Sequence, residues 1–236
     1  MKRILFTAAE KEELLCAKQV CRVMEERLSK HFEPDFLLTG VGTTSTCYRL
    51  VKKIYEAINE KRPYDLMINI GIAGSYNINN SDYALGKTVL IDKEYFGDLG
   101  FETLFGFQTL FQSQILDADA FPFKSGALSR YIFDNKTEEM LKTNFSHGIG
   151  VTVQTVTGKK EKTEELSKKF NPNIESMEGA AFFYVNILEN IPFIELRAVS
   201  NAVGENDTSK WESKLALDNL QQSIKILCNH FIDNGL

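Results

Sequence analysis

Four short apolar runs, at residues 3–7, 35–40, 66–70 and 193–200, alternate with longer segments whose apolar residues recur at helical spacing. A strand that is apolar along its whole length belongs in a sheet covered on both faces, and interleaved helices are what parallel crossovers need. The pattern predicts an α/β fold with a largely parallel sheet. The first helical segment, residues 11–28, carries Leu14, Leu15, Ala17, Val20, Val23, Met24 and Leu28. A second is capped by Gly42-Thr43-Thr44-Ser45, runs to about Asn59 and is broken by Pro63-Tyr64-Asp65. Further strands are expected at 87–95 and 148–156, and further helices at 161–170, 177–189 and 209–231. With no repeat, low-complexity tract or Pro/Ser-rich linker in the 236 residues, one domain over 1–236 is expected.

The chain carries 27 Lys and Arg against 32 Asp and Glu, a net charge of −5. That balance argues against a nucleic-acid or anionic-membrane partner, both of which need a positive field. Cys16, Cys21, Cys47 and Cys228 form no CxxC pair and stand beside no His at metal-ligand spacing, so buried reduced thiols are expected. The N-terminus has only a short apolar run, residues 4–9, before charges begin. It reads as neither a signal peptide nor a membrane anchor, and a cytoplasmic location is expected. Residues 97–130 carry Phe101, Phe105, Phe107, Phe111, Phe121 and Phe123 without a clear period. They read as core and loop packing, as a lid over a ligand or as a subunit interface.

In open α/β sheets ligands bind beyond the carboxyl ends of strands. Three segments there have unusual residues: Thr7-Ala8-Ala9-Glu10-Lys11-Glu12, Asn69-Ile70-Gly71-Ile72-Ala73-Gly74 and Arg197-Ala198-Val199-Ser200-Asn201. A fourth, Glu175-Ser176-Met177-Glu178-Gly179-Ala180-Ala181, lies at a strand-to-helix turn. Each is weak alone. Gly40-Val41-Gly42 has Ser45 where a dinucleotide fingerprint has its third glycine. Glu10, Glu12 and Glu13 suit a helix start as surface acids as well as a site. Gly71 and Gly74 suit a tight turn, and His31, His147 and His230 match no catalytic arrangement. Arg197 and Glu195 are harder to dismiss: both lie inside an apolar strand, two apart and so on one face. Charges there must be paired or functional.

The four segments, in this order, resemble the nucleoside phosphorylase/nucleosidase family over most of the chain. Within it the likeness is greatest to the futalosine-hydrolysing branch, to which Asp98-Leu99-Gly100 and Val156-Thr157-Gly158 add. The resemblance implies a three-layer α/β/α sandwich around a mostly parallel or mixed sheet, usually a homo-oligomer, with no metal and no cofactor. It implies a purine nucleoside as ligand, Glu12 as the acid that primes water with Arg197 nearby, and Asn201 at the base. Met177 would lie against the ribose, Glu178 would accept from its hydroxyls, and Ala73 and Gly74 would let the backbone approach. Thr155 and Val156 fall near the base pocket by spacing.

Three departures bear on the reaction. Adenine-specific nucleosidases carry Asp where this chain has Asn201, and an amide NH2 suits N7 or a 6-keto oxygen, so a 6-oxopurine nucleoside is expected. The family's phosphorylases place Arg in the first loop, whereas residues 7–13 contain acids and no Arg, so water is the expected nucleophile. Ile72 replaces a small polar residue near that water. The carboxyphenyl group of futalosine beyond the ribose is expected to pack on the aromatic segment 101–111, with Phe105 and Phe107 foremost. The competing readings are an adenine nucleosidase, a purine nucleoside phosphorylase, a nucleoside-binding sensor and a dinucleotide-dependent oxidoreductase.

Overall fold

The computed structural model describes residues 1–104, 106–205 and 207–235. Strands β1 (Lys2–Ala8), β2 (Phe32–Leu38), β3 (Leu66–Ser75) and β10 (Phe193–Ala202) correspond to the four apolar runs. The central sheet also contains β4 (Thr88–Phe96), β7 (Leu128–Ser129), β8 (Ser146–Thr152) and β9 (Ile174–Ser176). A separate hairpin pairs β5 (Gly100–Thr103) with β6 (Gly106–Thr109).

Pairing is parallel for β1–β2, β1–β3, β3–β10, β4–β8 and β8–β9, and antiparallel for β10–β4, β3–β9 and β4–β7. The sheet is therefore mixed. It also closes on itself: β3, β9, β8, β4 and β10 pair in a ring, with β1 and β2 running off β3.

Helices α1 (Lys11–Val23), α2 (Glu25–Leu28), α4 (Asn135–Asn144) and α7 (Ser213–Asn234) cover one face. On that side Leu14, Ala17 and Val20 of α1 and Leu220, Ile224 and Leu227 of α7 pack over Ile4, Phe6 and Ile68. On the other, Leu50 and Ile54 of α3 (Thr43–Asn59) and Phe182 and Phe183 of α6 (Gly179–Leu188) pack over Leu5 and Met67. Neighbouring residues of one strand thus feed opposite cores, as the pleat requires. Helix α5 (Lys160–Phe170) is mostly polar, with Leu166 as its one buried side chain.

The differences from expectation have local causes. β3 does not end at Ile70, and Gly71 and Gly74 make no turn. The strand continues to Ser75 because β10 pairs with it from Phe193↔Met67 to Ala202↔Ser75. β8 ends at Thr152 rather than at 156, where its partner β9 ends at Ser176 and the Val153 N–H makes the last ladder bond to Ser176 O. Helix α6 starts at Gly179, two residues late, because Glu178 is the cap. The closing helix starts at Ser213, after a single 3-10 turn at Thr208–Lys210. Helix α4 was not anticipated, although its cap is legible: Asp134 accepts from the N–H groups of Lys136 and Thr137.

Candidate active site

The C-terminal ends of β1, β3, β9 and β10 surround a cavity of about 340 Å³. Beneath it lies Arg197 on β10, with 1% of its surface exposed. Its Nε donates to Glu195 Oε1 at 2.6 Å and its Nη2 to Asn69 Oδ1 at 2.5 Å. Asn69 is fixed in turn by donating to Thr7 Oγ1 at 2.9 Å. Nη1 faces Glu178 Oε2 at 3.6 Å. Arg197 is thus paired with its strand neighbour and also stands beside an acid of the cavity wall. Burial works against its charge, but Glu195, Glu178 and Glu13 outweigh that and hold its pKa above the ordinary arginine value.

Glu178 caps α6 but makes no side-chain bond to that helix. Its Oε1 accepts instead from Gly42 N–H, at 3.1 Å. Gly42 has φ +91°, a conformation that favours glycine, so this amide is aimed by a residue without a side chain.

The acid expected to prime water, Glu12, and its neighbour Glu13 both line the cavity but differ in burial. Glu12 is exposed at the cavity rim, whereas Glu13 is buried. Glu13 Oε1 accepts from Ile72 N–H at 2.9 Å, and Oε2 accepts from Glu10 N–H at 3.0 Å. Its helical spacing explains the difference. Glu13 shares a face with buried Ala17, Val20 and Met24, while Glu12 aligns with exposed Leu15. Burial raises the Glu13 pKa to about 7, opposed by Arg197 and the two amides and aided by Glu178. Gly71 makes this arrangement possible: a Cβ there would overlap Arg197 Nη1 and lie 2.9 Å from Glu13 Oε1. The backbone amide of Ile72, not its side chain, serves the acid.

Of the other expected residues, Ala73, Gly74, Val156, Met177, Glu178 and Asn201 all line the cavity. Arg197 lies behind Glu178 rather than in the wall. Thr155 is not brought to it. The chain has left the sheet by then, and residues 154–156 are exposed. Asn201 is placed by a β-bulge: Val199 pairs with Ala73 and Asn201 with Gly74, leaving Ser200 as the extra residue. Ser200 Oγ lies 2.8 Å from Asn201 Oδ1, and Asn201 Nδ2 donates to Ala202 O at 2.9 Å. One amide hydrogen remains for a ligand. Gly74 opens the slot beside it, since a Cβ would stand 3.0 Å from Val203 and 3.3 Å from Asn201 Nδ2.

Several wall residues had no site role assigned from the sequence, among them Glu13, Glu175, Val203 and Trp211. Glu13 left a signal in its place on the apolar stripe of α1, and Glu175 in the segment 175–181 at the strand-to-helix turn. Glu175 is buried, and burial raises its pKa even though it accepts from Thr157 N–H and Tyr76 Oη. Trp211 follows the 3-10 turn and donates its Nε1–H to Glu205 O.

A larger hollow of about 1050 Å³ is lined by Thr43, Thr44 and Gln154, near in sequence to Val41 and Val156 of the cavity. Cys47, Tyr48, Phe96, Leu99, Phe123 and Tyr184 make it apolar, and Lys52 stands at its wall. The expected aromatic contacts are corrected here. Phe107 lines neither hollow; its buried ring lies 4.6 Å from Lys162 Nζ and 5.5 Å from Lys169 Nζ of α5. Phe111 packs edge-on against Phe123, and Phe105 lies outside the described residues. Among the described residues no three His, Cys, Asp or Glu side chains group as a metal site, and no helix is long and apolar enough to cross a membrane.

A futalosine hydrolase of Thermus thermophilus is 28% identical over 196 residues, which cover 81% of this chain and 80% of that one. A solved futalosine hydrolase of Helicobacter pylori superposes with a TM-score of 0.71 at 15% identity, over 100% of this chain and 98% of its own. An S-adenosylhomocysteine nucleosidase of Streptococcus pyogenes gives 0.69 at 19% identity, over 100% and 98%. The expected fold is the fold of these proteins. Residues 36–233 match the Phosphorylase superfamily, and the chain belongs to that family.

Proposed function

We propose that this protein hydrolyses the N-glycosidic bond of a 6-oxopurine nucleoside, with futalosine as substrate and hypoxanthine as the released base. One observation carries the reading: two buried acids, Glu13 and Glu178, converge on one cavity from separate elements, with Arg197 between them. A sensor needs shape and hydrogen bonds, but no buried acid with a pKa of about 7. The names of the relatives support the same substrate.

The chemistry follows from the placement. Glu13, ionised, takes a proton from water, and the water oxygen bonds to the anomeric carbon. The carbon–nitrogen bond breaks with its electron pair passing to the base. Positive charge on the sugar is greatest as that bond opens, and the side chain of Glu178 beneath the ribose stabilises it while accepting from the hydroxyls. Met177 covers the sugar without competing for hydrogen bonds. The free amide hydrogen of Asn201 meets N7 or the 6-keto oxygen, which gains negative charge as the base leaves. The base anion then takes a proton.

The substituent beyond the ribose has the larger hollow to enter, where Phe96, Phe123 and Tyr184 suit a phenyl ring and Lys52 a carboxylate. Homo-oligomerisation is part of the same reading. Tyr48, Val51, Tyr55 and Ile58 form an exposed apolar stripe along α3 that a second subunit would cover.

The test is to incubate the pure protein with futalosine, inosine and methylthioadenosine, with and without phosphate. Hypoxanthine from futalosine without phosphate supports the proposal. Release only with phosphate selects a phosphorylase, preference for methylthioadenosine an adenine nucleosidase, and no release from any of the three a sensor.

A further inference from the structure

Behind the cavity wall lies a buried charge problem that the proposed reaction does not use. Glu94 on β4 and Glu195 on β10 are exposed by 1% and 0%. Glu94 Oε2 accepts from Thr152 Oγ1 at 2.8 Å, and Glu195 Oε1 accepts from Arg197 Nε at 2.6 Å. The other oxygen of each, Glu94 Oε1 and Glu195 Oε2, is buried with no hydrogen-bond partner. The two carboxylates crowd one place. A Cβ on Gly179 would overlap Glu94 Oε1 and lie 2.7 Å from Glu195 Oε1, and a Cβ on Gly150 would overlap Glu94 as well. Two glycines, on α6 and β8, thus make room for the acids.

The groups facing this pair are Glu178 ahead of α6, Arg197 from β10 and the Thr152 hydroxyl from β8, while Glu13 from α1 reaches the same arginine from its cavity side. One cation therefore serves four acids. An unpartnered carboxylate oxygen in a dry interior is costly, and two adjacent carboxylates cannot both ionise there. A proton on Glu94 makes a donor of an oxygen that has no partner and removes one of the two adjacent charges.

We propose that Glu94 and Glu195 hold one proton between them, resting on Glu94, and that this acid pair positions Arg197 against Glu178. With Glu94 neutral, Glu195 stays ionised and grips Nε, leaving Nη1 turned to the cavity acid. Burial, then repulsion from Glu195, also drives the Glu94 pKa well upward, consistent with that state. The role in catalysis rests on the reading of Glu178 as the ribose acid, but the proton itself is read out without substrate.

Infrared spectra of the wild type, E94Q and E195Q at about pH 9, above the Glu13 pKa of about 7, give the first test. The wild type is expected to show a protonated-carboxyl stretch that E94Q removes. Melting temperature against pH gives the second. A proton bound in the folded state but not in the unfolded one makes stability fall as pH rises, so the melting temperature of E94Q relative to wild type should climb steadily from about pH 5 to 9. The rising limb of kcat/KM, set by Glu13, gives a third. E195Q removes a negative charge and should move it to lower pH; E94Q removes none and should leave its position alone. Absence of the stretch in the wild type overturns the proposal even if neither variant folds. So does an E94Q limb shifted like that of E195Q. Loss of futalosine turnover with the stretch intact would instead count against the reaction alone.

Discussion

Arg197 Nη1 stands 3.6 Å from Glu178 Oε2 while its Nε holds Glu195 Oε1 at 2.6 Å. One strand cation thereby ties an acid of the cavity wall to an acid buried behind it. Replacing Arg197 by Met leaves those carboxylates uncompensated, and loss of one partner from a buried ion pair costs about 3–5 kcal/mol. The R197M protein is expected to unfold at markedly lower denaturant than wild type, and R197K to lie between them because an ammonium cannot bind three partners as a planar fork. Urea denaturation followed by circular dichroism measures this; an R197M midpoint equal to wild type would mean the ion pairs contribute nothing.

Glu13→Gln should slow kcat by about a hundredfold or more with little change in KM, because the amide cannot accept the proton of water. Glu12→Gln should stay within about threefold, since a rim acid makes no transition-state contact. Hypoxanthine release from futalosine in steady state compares them. The reverse ranking would return the role to Glu12.

The pH dependence follows from the Glu13 pKa of about 7. The base works only when ionised, so kcat/KM should rise as pH climbs through about 7 and then level off, and E13Q should lack that limb. For stability the sign is opposite. Between the ordinary value of 4.5 and about 7 the folded protein keeps a proton that the unfolded chain has lost, so Glu13 makes stability fall as pH rises across that window. A pH–rate profile paired with melting curves reads both, and a kcat/KM that is flat between about pH 6 and 8 would contradict the assignment.

Asn201→Asp should move preference toward 6-aminopurines by about tenfold or more in relative kcat/KM, methylthioadenosine against futalosine. A carboxyl accepts from a 6-amino group, whereas the amide hydrogen left free on Nδ2 favours a 6-keto oxygen. An unchanged ratio would place base recognition elsewhere, Glu175 being another polar group in the wall.

Gly74→Ala should raise KM by about tenfold while leaving the melting temperature within a few degrees, because the new methyl lies 3.0 Å from Val203 at the mouth of the slot. Equal losses in kcat and stability would show that the glycine serves the strand rather than the ligand.

The apolar runs and helical periods determined the layers, because burying both faces of a sheet requires that pattern whatever the connections. They also led to the acids, since Glu195 and Arg197 inside an apolar strand had to be paired or functional. What the periods could not settle was which groups meet. Glu13 rather than Glu12 lies on the apolar stripe of α1, one helix step of about 100° away, but the Ile72 and Glu10 amides that hold its carboxylate come together only in the fold. Asn201 reaches the cavity through a bulge at Ser200, and β3 passes its expected turn because β10 pairs along its whole length. Thr155 and Phe107 line neither hollow for the same reason. Spacing along the chain places a residue near an element's end, but only pairing and packing fix which way its side chain points. The crowding of Glu94, Glu195, Glu178 and Glu13 around one arginine left no local trace, because those residues come from four separate segments and meet only when the sheet closes.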